Sequence, residues 1–140
     1  MGIITTHVNP VGIPHSGIKS AYVMRNRLDF SAIPVAASDV VEALKIPAGT
    51  MVLAVCTRVI TAEGGTCTAT VGDGDAAAGW DGSVNLNATA GTTTQSIPGT
   101  DATATTGKLY AAEDTIDLTM GHTTDAAVFD VYALCVDMNP

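Results

Sequence analysis

Apolar positions recur along this chain in short runs with the spacing of strands. In residues 20–30, Tyr22, Met24, Leu28 and Phe30 alternate with Arg25, Arg27 and Asp29, interrupted by Asn26, which predicts a strand with one wet face. Residues 51–60, MVLAVCTRVI, are apolar on both sides except at Thr57 and Arg58, the pattern of a strand covered on both faces. Residues 66–71 place Cys67, Ala69 and Val71 on one side and three threonines on the other, and residues 115–120 alternate cleanly. Residues 127–138, AVFDVYALCVDM, make the longest strand candidate and are again apolar on both faces. Residues 83–87 fit a short strand. Residues 38–46 fit either one helical turn capped by Ser38 or Asp39 or a short strand. Residues 47–50 read as a turn, and residues 88–107, rich in Thr, Ala and Gly, as a long loop with at most one edge strand. Short strands with turn signals every 8 to 15 residues indicate an antiparallel sandwich or barrel.

The first 19 residues break the pattern. Pro10 and Pro14 impose an extended or turning backbone, and Ile3, Ile4, Val8, Val11, Ile13 and Ile18 have no helical period. Fully extended, such a segment reaches on the order of 60 Å, far enough to lie on another subunit. The expected organisation is an arm over residues 1–19 and one β-sandwich domain over residues 20–140.

Composition sharpens this picture. The chain has 140 residues, 46% of them apolar but only 4% aromatic. That length fits one domain able to bury roughly two-thirds of its unfolded surface. No window reaches the 18 or so unbroken apolar residues of a membrane helix. MGIITTHVNP has no basic region followed by an apolar run, so no signal peptide is expected, and its fit to the short myristoylation pattern reads as a chance match. The net charge of −8, with only six Lys and Arg, excludes a basic patch for nucleic acid.

Candidate chemistry is sparse. Asp73-Gly74-Asp75 and the later Asp81 suggest a calcium loop, but a loop opening at Asp73 has Ala78 and Val84 where a glycine and a bidentate Glu are required. No Lys follows the glycines as a phosphate loop demands. The expected role is a strand-ending turn, with Gly supplying positive φ and Asp capping with its own side chain. His7, His15 and His122 share no zinc spacing, and the sequence contains no Gly-x-Ser-x-Gly. Asp114 and Asp117, three apart in a strand, face opposite ways. Three cysteines argue against a disulfide framework. A hairpin of residues 51–60 with 66–71, turning at Glu63-Gly64-Gly65, leaves Cys56 and Cys67 out of register, so Cys56, Cys67 and Cys135 are expected to be free thiols formed in a reducing cytoplasm. No catalytic residue, cofactor or metal ligand is expected. A cupin-type enzyme lacks its clustered His and Glu.

Residues 39–82 read DVVEALKIPAGTMVLAVCTRVITAEGGTCTATVGDGD followed by a Gly-Trp, with AAEDTIDLTM and AVFDVYALCVDM later. This run resembles small virion structural proteins of tailed bacteriophages. In that family an Ile-Pro-Ala-Gly-Thr turn, a strand, an acidic-Gly turn, a Thr-rich strand and Gly-Asp-Gly recur, followed by a Tyr-x-Ala-x-Asp-Thr-Ile-Asp-Leu segment that residues 109–118 match. The resemblance covers about residues 39–138 and is a pattern of turns and strands, not a catalytic signature. It implies an all-β, jelly-roll-like capsid decoration (cement) protein. Such a protein sits on the outside of the virion head, is made in the host cytoplasm, and usually forms a homotrimer bound to the major capsid protein, with no nucleic-acid or membrane partner. The arm lies outside the match, and Ile3, Ile4, Val8, Val11 and Ile13 are its expected capsid or subunit contacts. Trp80 is expected to be a further packing or contact residue. The competing class is a carbohydrate- or receptor-binding module of a head or tail fibre, for which Trp80 beside Asp73, Asp75 and Asp81 is the one candidate stacking cluster.

Overall fold

A computed structural model of the chain describes residues 20–95 and 107–139. The arm over residues 1–19, with the contacts expected at Ile3, Ile4, Val8, Val11 and Ile13, lies outside the described residues, as does 96–106. The fold is an all-β sandwich of two antiparallel sheets, with no helix among the described residues.

Among the described residues the sandwich comprises nine strands: β1 (Ala21–Asp29), β2 (Val40–Ile46), β3 (Thr50–Thr61), β4 (Thr68–Gly72), β5 (Asp81–Asn85), β6 (Thr93–Gln95), β7 (Lys108–Tyr110), β8 (Asp114–Met120) and β9 (Val128–Asp137). The first sheet runs β1-β9-β3-β6, with β7 also pairing β3, and the second runs β2-β8-β4-β5. The two strands with the richest apolar pattern, β3 and β9, lie side by side in the middle of the first sheet. There they turn Val52, Val55, Val59, Phe129, Val131, Ala133 and Cys135 inward. Ile116, Leu118 and Met120 of β8, with Ala69 and Val71 of β4, answer from the second sheet, as alternation requires.

Residues 38–46 become a strand, not a helical turn. Ser38 holds a φ of 73°, and Asp39 accepts the Met120 amide, which sets β2 against β8. Residues 81–85 pair as β5 instead of 83–87, and 108–110 form a strand that alternation over three residues does not reveal.

The expected hairpin of residues 51–60 with 66–71 does not form. β3 pairs with β9, β6 and β7, whereas β4 pairs with β5 and β8, so residues 62–67 carry the chain from one sheet to the other. Both edges of β3 are taken by other strands, and Glu63 is committed elsewhere. Its carboxylate accepts the amides of Asp125, Ala126 and Ala127 at 2.9, 3.0 and 2.7 Å, tying the crossover to the turn before β9. Burial pushes the Glu63 carboxyl up, but these amides outweigh it and hold it below the usual range. Cys56 and Cys67 therefore sit on different sheets. All three cysteines are free, with Cys67 and Cys135 buried and Cys56 half-buried on the outside of the first sheet.

Candidate functional site

The strand-ending turn after β4 is built around Asp73. Its Oδ1 accepts the amides of Asp75 and Ala76, both at 3.0 Å, the self-capping that Asp at such a position favours. Gly74 is not among the residues with positive φ, contrary to the role expected of it. The glycine the turn requires is Gly72, where a Cβ would strike the backbone of Ala76 and Ala77. The other carboxylate oxygen of Asp73 reaches inward to partners absent from the sequence reading. Tyr110 donates to it at 2.7 Å, and Lys108, whose ammonium also bonds Asp75, at 2.8 Å. The Tyr110 hydroxyl in turn accepts the Trp80 Nε1–H at 3.2 Å.

Trp80 is 0% exposed, so it is an interior packing residue and neither a contact residue nor a platform for a sugar ring. Burial pushes the Asp73 carboxyl up, but hydrogen bonds from Lys108, Tyr110 and the two amides outweigh it and hold it low. Burial and the Asp73 hydrogen bond push the Tyr110 hydroxyl far up, so it remains a donor. Asp73, Asp75 and Asp114 bring carboxylate oxygens within 4.8 Å of one another, a grouping with the ligand type of a hard cation. The Lys108 ammonium already bonds two of the three. This lysine is the cation the cluster is built around.

The Thr68 hydroxyl lies 3.5 Å from His122 Nδ1, at the outer limit of hydrogen bonding. Burial pushes all three thiols up, away from the reactive thiolate. What the chain presents is surface. On the outer face of the first sheet, residues pair across β1, β9 and β3 in rows: Ala21–Val136–Met51, Val23–Leu134–Ala54, Arg25–Tyr132–Cys56 and Arg27–Asp130–Arg58. Val23 is 59% exposed and Leu134 37%; Leu53, the extra residue of a β-bulge, is 42% and Leu109 on β7 51%. One half of this face is aliphatic and the other arginine-rich. Asp130 lies beneath the guanidinium groups of Arg25 and Arg27, bonded at 2.7 to 3.0 Å, and the Arg27 bonds hold its carboxyl low against the opposing effect of burial.

The flank where β1 and β2 face each other is open. Asn26 donates to the Ala43 carbonyl at 2.9 Å and bridges the sheets. Beside that bridge lies a cleft of about 640 Å³, floored by Met24, Ala43 and Leu44 and rimmed by Glu42, Lys45, Glu113 and Asp114. Asp117 stands directly across from Glu42, and its Oδ1 is buried with no hydrogen-bond partner among the described residues. Burial first, then the nearby charges of Asp114, Glu42 and Asp73, push its carboxyl up despite a Thr115 hydrogen bond. Asp114 and Asp117 sit on opposite faces as their spacing predicts, yet they act on one another electrostatically.

No protein-family model matches the chain, and no curated protein does. Solved structures do. A chain in the capsid asymmetric unit of cyanophage Pam1 superposes with a TM-score of 0.67 at 14% identity, covering 98% of both chains. A chain of the acid-stable capsid of Helicobacter pylori bacteriophage KHP30 gives 0.59 at 15% identity, over 85% of this chain and 89% of that one. One in the capsid of Ralstonia phage GP4 gives 0.59 at 14%, over 91% of each. This likeness establishes a shared fold with chains of phage capsid structures.

Proposed function

We propose that this chain is a non-enzymatic structural protein of a phage virion, a decoration (cement) protein that binds the outside of the head as a homotrimer and stabilises it. The observation that carries the reading is the outer face of the first sheet. Four aliphatic side chains there are exposed on a sheet whose inner face already supplies the core. A contiguous apolar patch of this kind marks a protein-binding surface. Its fold likeness to chains of phage capsids supplies the setting. The partners are the major capsid protein and other copies of the chain. Residues 1–19 serve as the arm that grips the shell through Ile3, Ile4, Val8, Val11 and Ile13.

The test is rebinding to capsids stripped of this protein. The full chain should rebind in a ratio near one to the major capsid protein, and the purified protein should sediment as a trimer. Deleting residues 2–19 should leave the melting temperature nearly unchanged and abolish rebinding. A full chain that does not rebind refutes the decoration reading; a truncated chain that does not fold makes the arm part of the core instead.

A further inference from the structure

Two surfaces of this chain are each incomplete, and each offers what the other lacks. In the rows Arg25–Tyr132–Cys56 and Arg27–Asp130–Arg58, three of the chain's six basic residues collect on one face, answered within those rows by Asp130 alone. The rows beside them are aliphatic and exposed. The cleft between β1 and β2 has the opposite polarity: Glu42, Glu113 and Asp114 against the single Lys45, over an apolar floor. Lys45 is itself engaged by Glu113 at 3.1 Å in an exposed pair. From the rim, Glu42 stands across from Asp117 on the neighbouring strand, an arrangement that repels unless a cation intervenes.

We infer that the arginine-and-aliphatic face of the first sheet is a self-association surface, and that it docks onto the acid-rimmed cleft on the β1–β2 flank of a second copy. The inference deepens the proposed homo-oligomer by naming its two halves. A second copy is the occupant because the same chain carries both complementary surfaces, and at a net charge of −8 most other parts of its surface repel one another. A patch and receptor on opposite faces of a sandwich would stack into an open filament. Here both surfaces border on β1 and lie on adjacent sides, so each repeat of this heterologous contact turns the chain about an axis, the geometry from which rings are built when the rotation closes. In that contact Val23, Leu53 and Leu134 cover the Met24–Leu44 floor, while Arg25 and Arg58 meet the Glu42 side of the rim.

Sedimentation velocity of the purified full chain, with far-UV circular dichroism as the check on folding, tests this. Leu134→Glu should weaken self-association by about tenfold or more, and the milder Leu134→Ser by less, with unchanged spectra. Arg58→Glu and Glu42→Arg should each weaken it similarly, and the double variant should return most of what the single changes lost. A wild-type chain that stays monomeric at about a hundred times micromolar concentration overturns the inference. So does a folded Leu134→Ser or Leu134→Glu variant that assembles normally, or a double variant as dissociated as its parents. Rebinding to stripped shells is scored separately: a chain that self-associates through these residues but does not rebind supports the surface assignment and refutes the decoration reading.

Discussion

Replacing Tyr110 by phenylalanine removes the one oxygen atom that links two buried polar side chains, Asp73 and Trp80. That hydroxyl donates to the ionised Asp73 at 2.7 Å and accepts from the indole of Trp80 at 3.2 Å. Losing a hydrogen bond to a charged group costs roughly 1.5–3 kcal/mol, and a buried N–H left without an acceptor about 1–3 kcal/mol. The two losses share one atom and are not additive, so the expected destabilisation is about 2–4 kcal/mol. At about 3–6 °C per kcal/mol for a domain of this size, the melting temperature should fall by roughly 6–24 °C. Urea and thermal denaturation, at one fixed protein concentration because assembly shifts the apparent stability, measure it. The pH profile provides a second readout. Asp73 has a depressed pKa in the folded chain, so its contribution is present above the unfolded carboxylate value of about 3.9 and is lost as pH falls through the folded value. Without the Tyr110 donor that folded value rises, and the variant should lose less of its remaining stability on acidification than the wild type does. A loss under about 1 kcal/mol at neutral pH, with an unchanged acid limb, would refute the network as a source of stability.

Asp117→Asn should stabilise the folded chain at neutral pH. The folded pKa of Asp117 is raised, so its favourable state exists below the unfolded value and is lost as pH rises through the folded one; thermal melts should show the gain shrinking toward acid, and no gain at pH 7 would contradict the burial reading. EDTA should leave the melting temperature where it is, because the Lys108 ammonium already sits between Asp73 and Asp75, 2.8 Å from each; a fall of several degrees restored by calcium would show that a metal competes for the site. Thiol titration of the denatured protein should find three groups per chain, and one group would mean a disulfide.

Faces were legible in the sequence where neighbours were not. Alternation in residues 20–30 and 115–120 correctly assigns Met24 and Leu28 to the core side and Arg25 and Arg27 to the outside, because side-chain direction has a period of two and needs no tertiary knowledge. The doubly apolar patterns of β3 and β9 marked a second face needing cover, and that face is the exposed one. Pairing is different: nothing local tells β3 to choose β9 over β4, and the short Glu63-Gly64-Gly65 spacing suggested a hairpin where Glu63 instead bonds residues about 62 to 64 positions away. The same distinction runs through the Asp73 site. Its self-capping turn is local and was readable, while its bonds to Lys108 and Tyr110 span 35 and 37 residues and depend on the fold being complete. Trp80 lies in the loop before β5, as its glycine neighbours suggest, but which of packing and contact it serves depends on its ring folding inward against Tyr110, which no local pattern shows.

The pairing of β1 with β9 sets Ala21 against Val136. During synthesis, the first strand of the sandwich therefore waits for β2 to β8 to be made before its partner leaves the ribosome, and β3 waits for the same strand. Such long-range closure makes folding slow and all-or-none. It also acts as a timer: the arginine-and-aliphatic face, drawn from β1, β9 and β3 together, does not exist on a nascent chain. A polysome crowded with identical chains thus carries no finished face of this kind on any chain whose β9 has not yet emerged.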